Sequence, residues 1–484
     1  MLLVENPSTV GGIMTGTKYT SVLSALLLLG GCSSGTSTVT ALDGASCYPP
    51  EAAQWVSEAP STDSSTATDP GGPLAIYLDG SASMSGYIRG GSVDARPLAD
   101  LVGMLPTLSG IDHSKAEVIR FDRKITPLAS EGVKAMQSDA GYLCPPANAN
   151  CDAQESHIDQ ALGKIADGEA SGLSVVVSDL WLANSTVLTT DSVALSGPLD
   201  KIFNSGRSIA VYGFESPYAG KVSDLPSGKT GVMASRRYLF VVAVGPLKRL
   251  QAFNAAMQMA PSSTISGDLK SGKAHYSLFT LEPATSGGPA KSAFVVPTKS
   301  FLKKANFLPV RAGVKVPQFE LDKGEALRGQ GGGASWTGGQ AVSVIPGAVW
   351  EGASRGETQL YKLVDEECRP KGAGWRKEGE LRGGWQGDSG NYTLDPGNLA
   401  ALPSGKYLLV GGLRRVSLLS PNPATQWMRD WSFNAASEAE ALKRPVMPTL
   451  NLSEMARLLE VALLRSAQQK SMNIGGFAVA VEIK

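Results

Sequence analysis

The sequence predicts an α/β protein: a doubly wound, mainly parallel sheet flanked by helices, then a β-rich region with a terminal helix. Three observations carry this. Between residues 73 and 262, apolar runs of strand length alternate with helical stripes. Beyond residue 262 the runs shorten and are divided by Gly, Pro and Ser. Residues 451–470 then form a long amphipathic stretch, with Leu458, Leu459, Val461, Ala462 and Leu464 apolar, and a short strand follows.

LAIYLD (74–79) is a continuous apolar run, as expected of a strand covered on both faces. The next segment places Leu98, Leu101, Val102 and Leu105 at helical spacing, with Pro97 suited to a first turn. AEVIRFD (116–122) reads as a strand, and ESHIDQALGKIAD (155–167) as a helix striped by Ile158, Leu162 and Ile165. LSVVVSDLW (173–181), SIAVYGF (208–214) and RRYLFVVAVG (236–245) read as strands, and Pro246 opens another helix. Residues 263–445 read as a β-rich domain, in which LPSGKYLLVGGLRR is similar to a strand signature of immunoglobulin-like sandwiches. Residues 446–484, a helix and a strand, are expected to pack on that domain.

The 484 residues are too many for one ordinary core. With 42% hydrophobic and 18% charged residues the chain is of the folded class. Lys plus Arg equals Asp plus Glu at 44 each, so nucleic-acid binding has little electrostatic support. Three histidines and no Cys-x-x-Cys argue against a zinc or haem site.

The N-terminus carries an address. Residues 1–13 lack signal character, so Met14 reads as the start of a leader. Lys18 supplies a cation, and the apolar run Val22–Leu29 is too short to span a bilayer. LGGC resembles a bacterial lipobox, which implies cleavage before Cys32 and lipid on its thiol. The competing readings are an ordinary signal peptide with an incidental cysteine and a buried helix. By the same resemblance, Ser33 implies sorting to the outer membrane, facing the periplasm or the cell surface. Residues 33–72, rich in Ser, Thr, Pro and Gly, read as a flexible tether. Four cysteines remain, an even count that favours disulfides in an oxidising compartment. Cys144 and Cys151 enclose a short turn-rich loop and are expected to pair, which leaves Cys47 with Cys368 by elimination.

The functional signal lies after the first strand. In LDGSASMSG, Asp79, Ser81 and Ser83 form Asp-x-Ser-x-Ser at the C-terminal end of a strand, where doubly wound sheets bind ligands. A carboxylate and two hydroxyls are hard oxygen donors, suited to Mg²⁺ or Mn²⁺, with Ca²⁺ as a further choice. The competing reading is a plain turn closed by Asp79.

The segment closely resembles the von Willebrand factor A domain and its metal-ion-dependent adhesion site. The resemblance covers residues 73–262. It implies a metal set of Asp79, Ser81, Ser83, Ser156 and Asp179: Ser156 in QESHIDQAL stands where the family has Thr, and Asp179, at the end of the next deeply buried strand, stands where the family has an Asp after its fourth strand. Leu180 follows Asp179 where many relatives have Gly. The resemblance implies an envelope-anchored adhesion protein whose cation captures an Asp or Glu of a protein partner. The Cys144–Cys151 loop would then border the metal face and help choose that partner. A metal-independent scaffold and a metal-dependent periplasmic hydrolase are the alternatives. SGKTG (227–231) is not a phosphate loop, since Ser223 stands where that motif needs Gly. The tryptophans of the C-terminal half (Trp336, Trp350, Trp375, Trp385, Trp427, Trp431) could offer a glycan platform, although such residues more often fill a small core.

Overall fold

The computed structural model describes residues 72–91, 96–111, 116–142, 156–182, 192–222, 225–228, 232–260, 263–281, 300–311, 314–328, 335–337, 347–350, 354–364, 374–381, 384–386, 391–415, 417–469 and 473–484. All lie within the compact unit Gly44–Lys484, one of two into which the chain divides. The leader, the tether, Cys32, Cys47, Cys144, Cys151 and Cys368 lie outside the described residues.

The first body is a seven-stranded sheet. Its strands are β1 (Leu74–Asp79), β2 (Glu117–Phe121), β3 (Ile125–Pro127), β4 (Leu173–Ser178), β5 (Ser208–Val222), β6 (Val232–Gly245) and β7 (His275–Phe279), in the order β3-β2-β1-β4-β6-β5-β7. β1 is parallel to β2 and β4, with Leu78 opposite Val177. The other pairings are antiparallel. The sheet is therefore mixed, parallel at β2-β1-β4 and antiparallel beyond. The physical reason is a hairpin: β6 folds back on β5 and enters the sheet between β5 and β4.

Both faces are covered. One face packs Leu78, Val177, Val241 and Tyr212 against helices α1 (Pro97–Met104), α4 (Leu247–Met259) and α5 (Ser263–Ser271), which contribute Leu101, Leu250 and Ile265. The other packs Tyr77, Val176 and Val242 against α2 (Ile158–Asp167), α3 (Ser192–Asn204) and α6 (Leu452–Gln469), through Leu162, Leu199 and Leu459. Strands buried on two sides need apolar residues at both parities, hence the unbroken runs in the sequence.

Two boundaries differ from expectation. His275–Phe279 is the edge strand of the first sheet, so this body continues past residue 262. Helix α6, expected on the β-rich region, buries Leu452, Met455, Leu459 and Leu463 in the second core of the first sheet. An amphipathic stripe says that a helix is buried but not against what.

The β-rich body contains β8 (Leu302–Arg311), β9 (Val314–Leu321), β10 (Ser335–Thr337), β11 (Ser354–Leu363), β12 (Trp375–Glu380), β13 (Trp385–Gln386), β14 (Asn391–Thr393) and β15 (Gly405–Arg415). A two-residue pair joins β16 (Ser432–Phe433) to β17 (Thr449–Leu450), and β18 (Asn473–Ile483) closes the described chain. Six strands form the sheet β12-β11-β15-β18-β9-β8, and three form β10-β14-β13. Phe319, Leu360, Leu409 and Val479 share a core with Tyr392, Leu394 and Leu399. Trp350, Trp375 and Trp427 are buried, so these three serve packing rather than a glycan platform.

Candidate metal centre

The five residues singled out in the sequence meet at the C-terminal ends of β1 and β4. The turn after β1 is shaped by Asp79 itself, whose Oδ1 accepts the Ser81 backbone N–H at 2.9 Å. A 3-10 turn over Ala82–Met84 and a short helix, Ser85–Arg89, follow. Gly80 is required by a close approach: a Cβ there would stand 2.2 Å from Arg120 Nε. Arg120 spans the cup's outer wall, donating to the carbonyl oxygens of Gly80 at 3.0 Å and Gly141 at 2.9 Å, and to Asp122 at 2.9 Å. Asp122 is thus occupied by structure rather than by the cup.

Asp79 and Asp179 are each 1% exposed. Asp79 Oδ2 accepts from Ser156 Oγ at 2.8 Å and from Ser178 Oγ at 2.7 Å. Asp179 Oδ2 accepts from Ser83 Oγ at 3.0 Å, and its Oδ1 accepts the Trp181 N–H at 3.2 Å. Ser81 and Ser83 hydroxyl oxygens lie 3.1 Å apart. Burial, and the charge of Asp179 beside it, push the Asp79 carboxyl up to about 6, while hydrogen bonds from Ser81 and Ser178 pull it down.

The arrangement has a direction. Both carboxylates sit at the back, buried and hydrogen-bonded to serine hydroxyls. Ser83 and Ser156 stand in front, partly exposed. A hydroxyl that gives its proton to a carboxylate behind it turns its lone pairs away from that carboxylate. The donor set therefore fits a hard dication bound by hydroxyl oxygens, with the two carboxylates acting behind them. Among the described residues no three His, Cys, Asp or Glu side chains cluster as a metal site, so the cup is a different kind of donor set, two acids and three alcohols.

Two side chains at the cup, Ser178 and Arg237, escaped the sequence reading, and Leu180 between them takes an unusual backbone conformation. Ser178 bonds Asp79 and also accepts the Leu180 N–H at 3.0 Å. Leu180 has φ +47°, a left-handed conformation that Gly adopts without the steric cost of a Cβ. Arg237, 2% exposed, brings Nη2 to 3.2 Å from Asp179 Oδ2 as an ion-pair contact rather than an aligned hydrogen bond. Its guanidinium lies 4.6 Å from the Trp181 ring, 4.9 Å from Tyr218 and 5.8 Å from Tyr87. Burial opposes its charge, but Tyr87, Asp179 and Tyr218 hold its pKa above the ordinary arginine value. The available signal was period two: Arg237 shares its strand face with Leu239, Val241 and Ala243 in the core.

His157 is half-buried at the start of α2, with Nδ1 3.7 Å from Asp159. At Ser227, in the stretch SGKTG, the backbone N–H and the hydroxyl both donate to the Glu438 carboxylate. Comparison of the chain with protein families, with curated proteins and with solved structures finds no match.

Proposed function

We propose that this cup is a divalent-cation site of the von Willebrand factor A type in a lipid-anchored protein of the bacterial envelope, and that it captures an acidic residue of a protein partner. The observation that carries the reading is the convergence of Asp79, Ser81, Ser83, Ser156 and Asp179 from three distant segments, with hydroxyls in front and carboxylates behind. Ser81, Ser83 and Ser156 would hold the ion, with Asp79 and Asp179 fixing the hydroxyls. When bound, Mg²⁺ or Mn²⁺ supplies a positive centre for an outside carboxylate. Ser178 keeps Asp79 aimed at Ser156, and Trp181 keeps Asp179 aimed at Ser83.

A second reading, a scaffold that needs no metal, is favoured by one observation: Arg237 already gives Asp179 a positive partner. A hydrolase has less support, because both carboxylates are buried and already hold serine hydroxyls in place.

Calorimetric titration with Mn²⁺ tests the reading. The protein is expected to bind one ion, and Asp79→Ala, checked for folding by circular dichroism, is expected to lose it. Pull-down from envelope extract should then fail in EDTA and with Asp79→Ala. Capture that survives both favours the scaffold.

A further inference from the structure

Arg237 reaches the cup because β6 runs antiparallel to β4. Ser178 on β4 pairs with Phe240, so residues before Phe240 lie beyond the end of β4, at the level of Asp179. The side chain is enclosed by the cup's own parts. Tyr87 belongs to the short helix that follows Ser83, and its hydroxyl donates to the Tyr238 carbonyl at 2.6 Å. Trp181 follows Asp179 directly. From the far side the backbone of Met447 bridges Arg237, with Met447 N–H donating to the Arg236 carbonyl at 3.0 Å. Gly86 leaves room for the third ring, since a Cβ there would stand 2.3 Å from Tyr218 Cε2.

A guanidinium buried among three rings and one carboxylate is not a surface cation folded inward. Its charge is compensated where it stands, by Asp179 and by the π faces. Both ionised acids and the guanidinium together leave one net negative charge. A dication would reverse this to one net positive charge, facing the open side of the cup.

We infer that Arg237 is a resident counter-cation of the cup, which weakens its hold on a dication and leaves the loaded site with excess positive charge for an acidic ligand. This rests on the cup being a cation site. Arg237 touches no ligand of its own in this scheme; it acts through Asp179 and is a positioning residue.

The test is Mn²⁺ titration of the full chain as wild type, Arg237→Met, Arg237→Lys and Asp79→Ala. Removing a cation this close, in surroundings of low polarity, is expected to tighten Mn²⁺ binding at least tenfold in Arg237→Met. Arg237→Lys keeps the charge and should bind within about threefold of wild type. A purely structural arginine would give unchanged or weaker binding in Arg237→Met, which overturns the inference. If Arg237→Met folds only with Mn²⁺, at concentrations that leave wild type unbound, the inference stands; if Mn²⁺ does not rescue it, the inference fails. Wild type that takes no Mn²⁺ while Arg237→Met does supports the inference. If neither variant nor wild type binds, both it and the cation reading fall. Equal binding by wild type and Arg237→Met removes the inference alone.

Discussion

Asn451 donates its side-chain amide to the carbonyl oxygen of Leu182 at 2.9 Å, joining the start of α6 to the loop that carries Asp179. Asn451 has φ +58°, a conformation Asn tolerates better than most residues. Asn451→Ala is expected to cost about 2 kcal/mol in urea unfolding. It should also speed amide exchange over residues 179–182. Exchange unchanged in that loop would show that α6 does not hold it.

Ser83 and Ser178 should separate function from stability. Ser83→Ala removes a partly exposed hydroxyl, and a loss of Mn²⁺ affinity of at least tenfold is expected with little change in melting temperature. Ser178→Ala leaves Asp79 short of a buried hydrogen bond and should cost roughly 1–3 kcal/mol. Calorimetry of both variants decides. Equal effects of the two on stability would contradict the front-and-back arrangement of the cup.

Leu180 is held between two demands. Its side chain is 1% exposed and packs in the second core, while its backbone is left-handed. Leu180→Ala keeps the backbone strain and loses packing, about 2–5 kcal/mol. Leu180→Gly loses the same packing but relieves about 1 kcal/mol of strain. The glycine variant should therefore be the more stable of the two, the reverse of the usual order. Alanine equal to or above glycine in unfolding free energy would refute this.

His275 lies parallel to the Trp427 ring at 5.4 Å and edge-on to Trp431 at 4.8 Å. Burial lowers its pKa below the usual histidine value, with Asp430 pulling the other way. As pH falls, the unfolded chain takes up the proton first. His275's contribution is therefore intact above the unfolded value, declines below it, and is lost once pH passes the folded value. Urea unfolding between pH 7.5 and 5 should show a steeper loss for wild type than for His275→Gln. Parallel curves would rule out this role.

The cup was legible in the sequence because its parts sit at fixed offsets from strand ends. Asp79, Ser81 and Ser83 follow an apolar run directly, and Asp179 ends another. Ser178 was hidden because a serine ending a buried strand looks like any residue entering a turn. Arg237 was hidden for a different reason. Alternation shows which face a strand residue takes, but not which way the strand runs, and only the antiparallel entry of β6 brings Arg237 to the cup. The same gap misplaced α6 and β7: a buried stripe or a short apolar run names no partner.

In the six-stranded sheet β18 lies between β15, which it meets antiparallel, and β9, which it meets in parallel. The five other strands of that sheet are therefore synthesised as two separate ladders, β8 with β9 and β11 with its neighbours β12 and β15. They cannot join until residues 473–483 leave the ribosome, and α6 must emerge just before to cap the other body. Chains halted upstream of residue 452 would carry two open sheet edges and an uncovered core, and would be marked out for proteolysis.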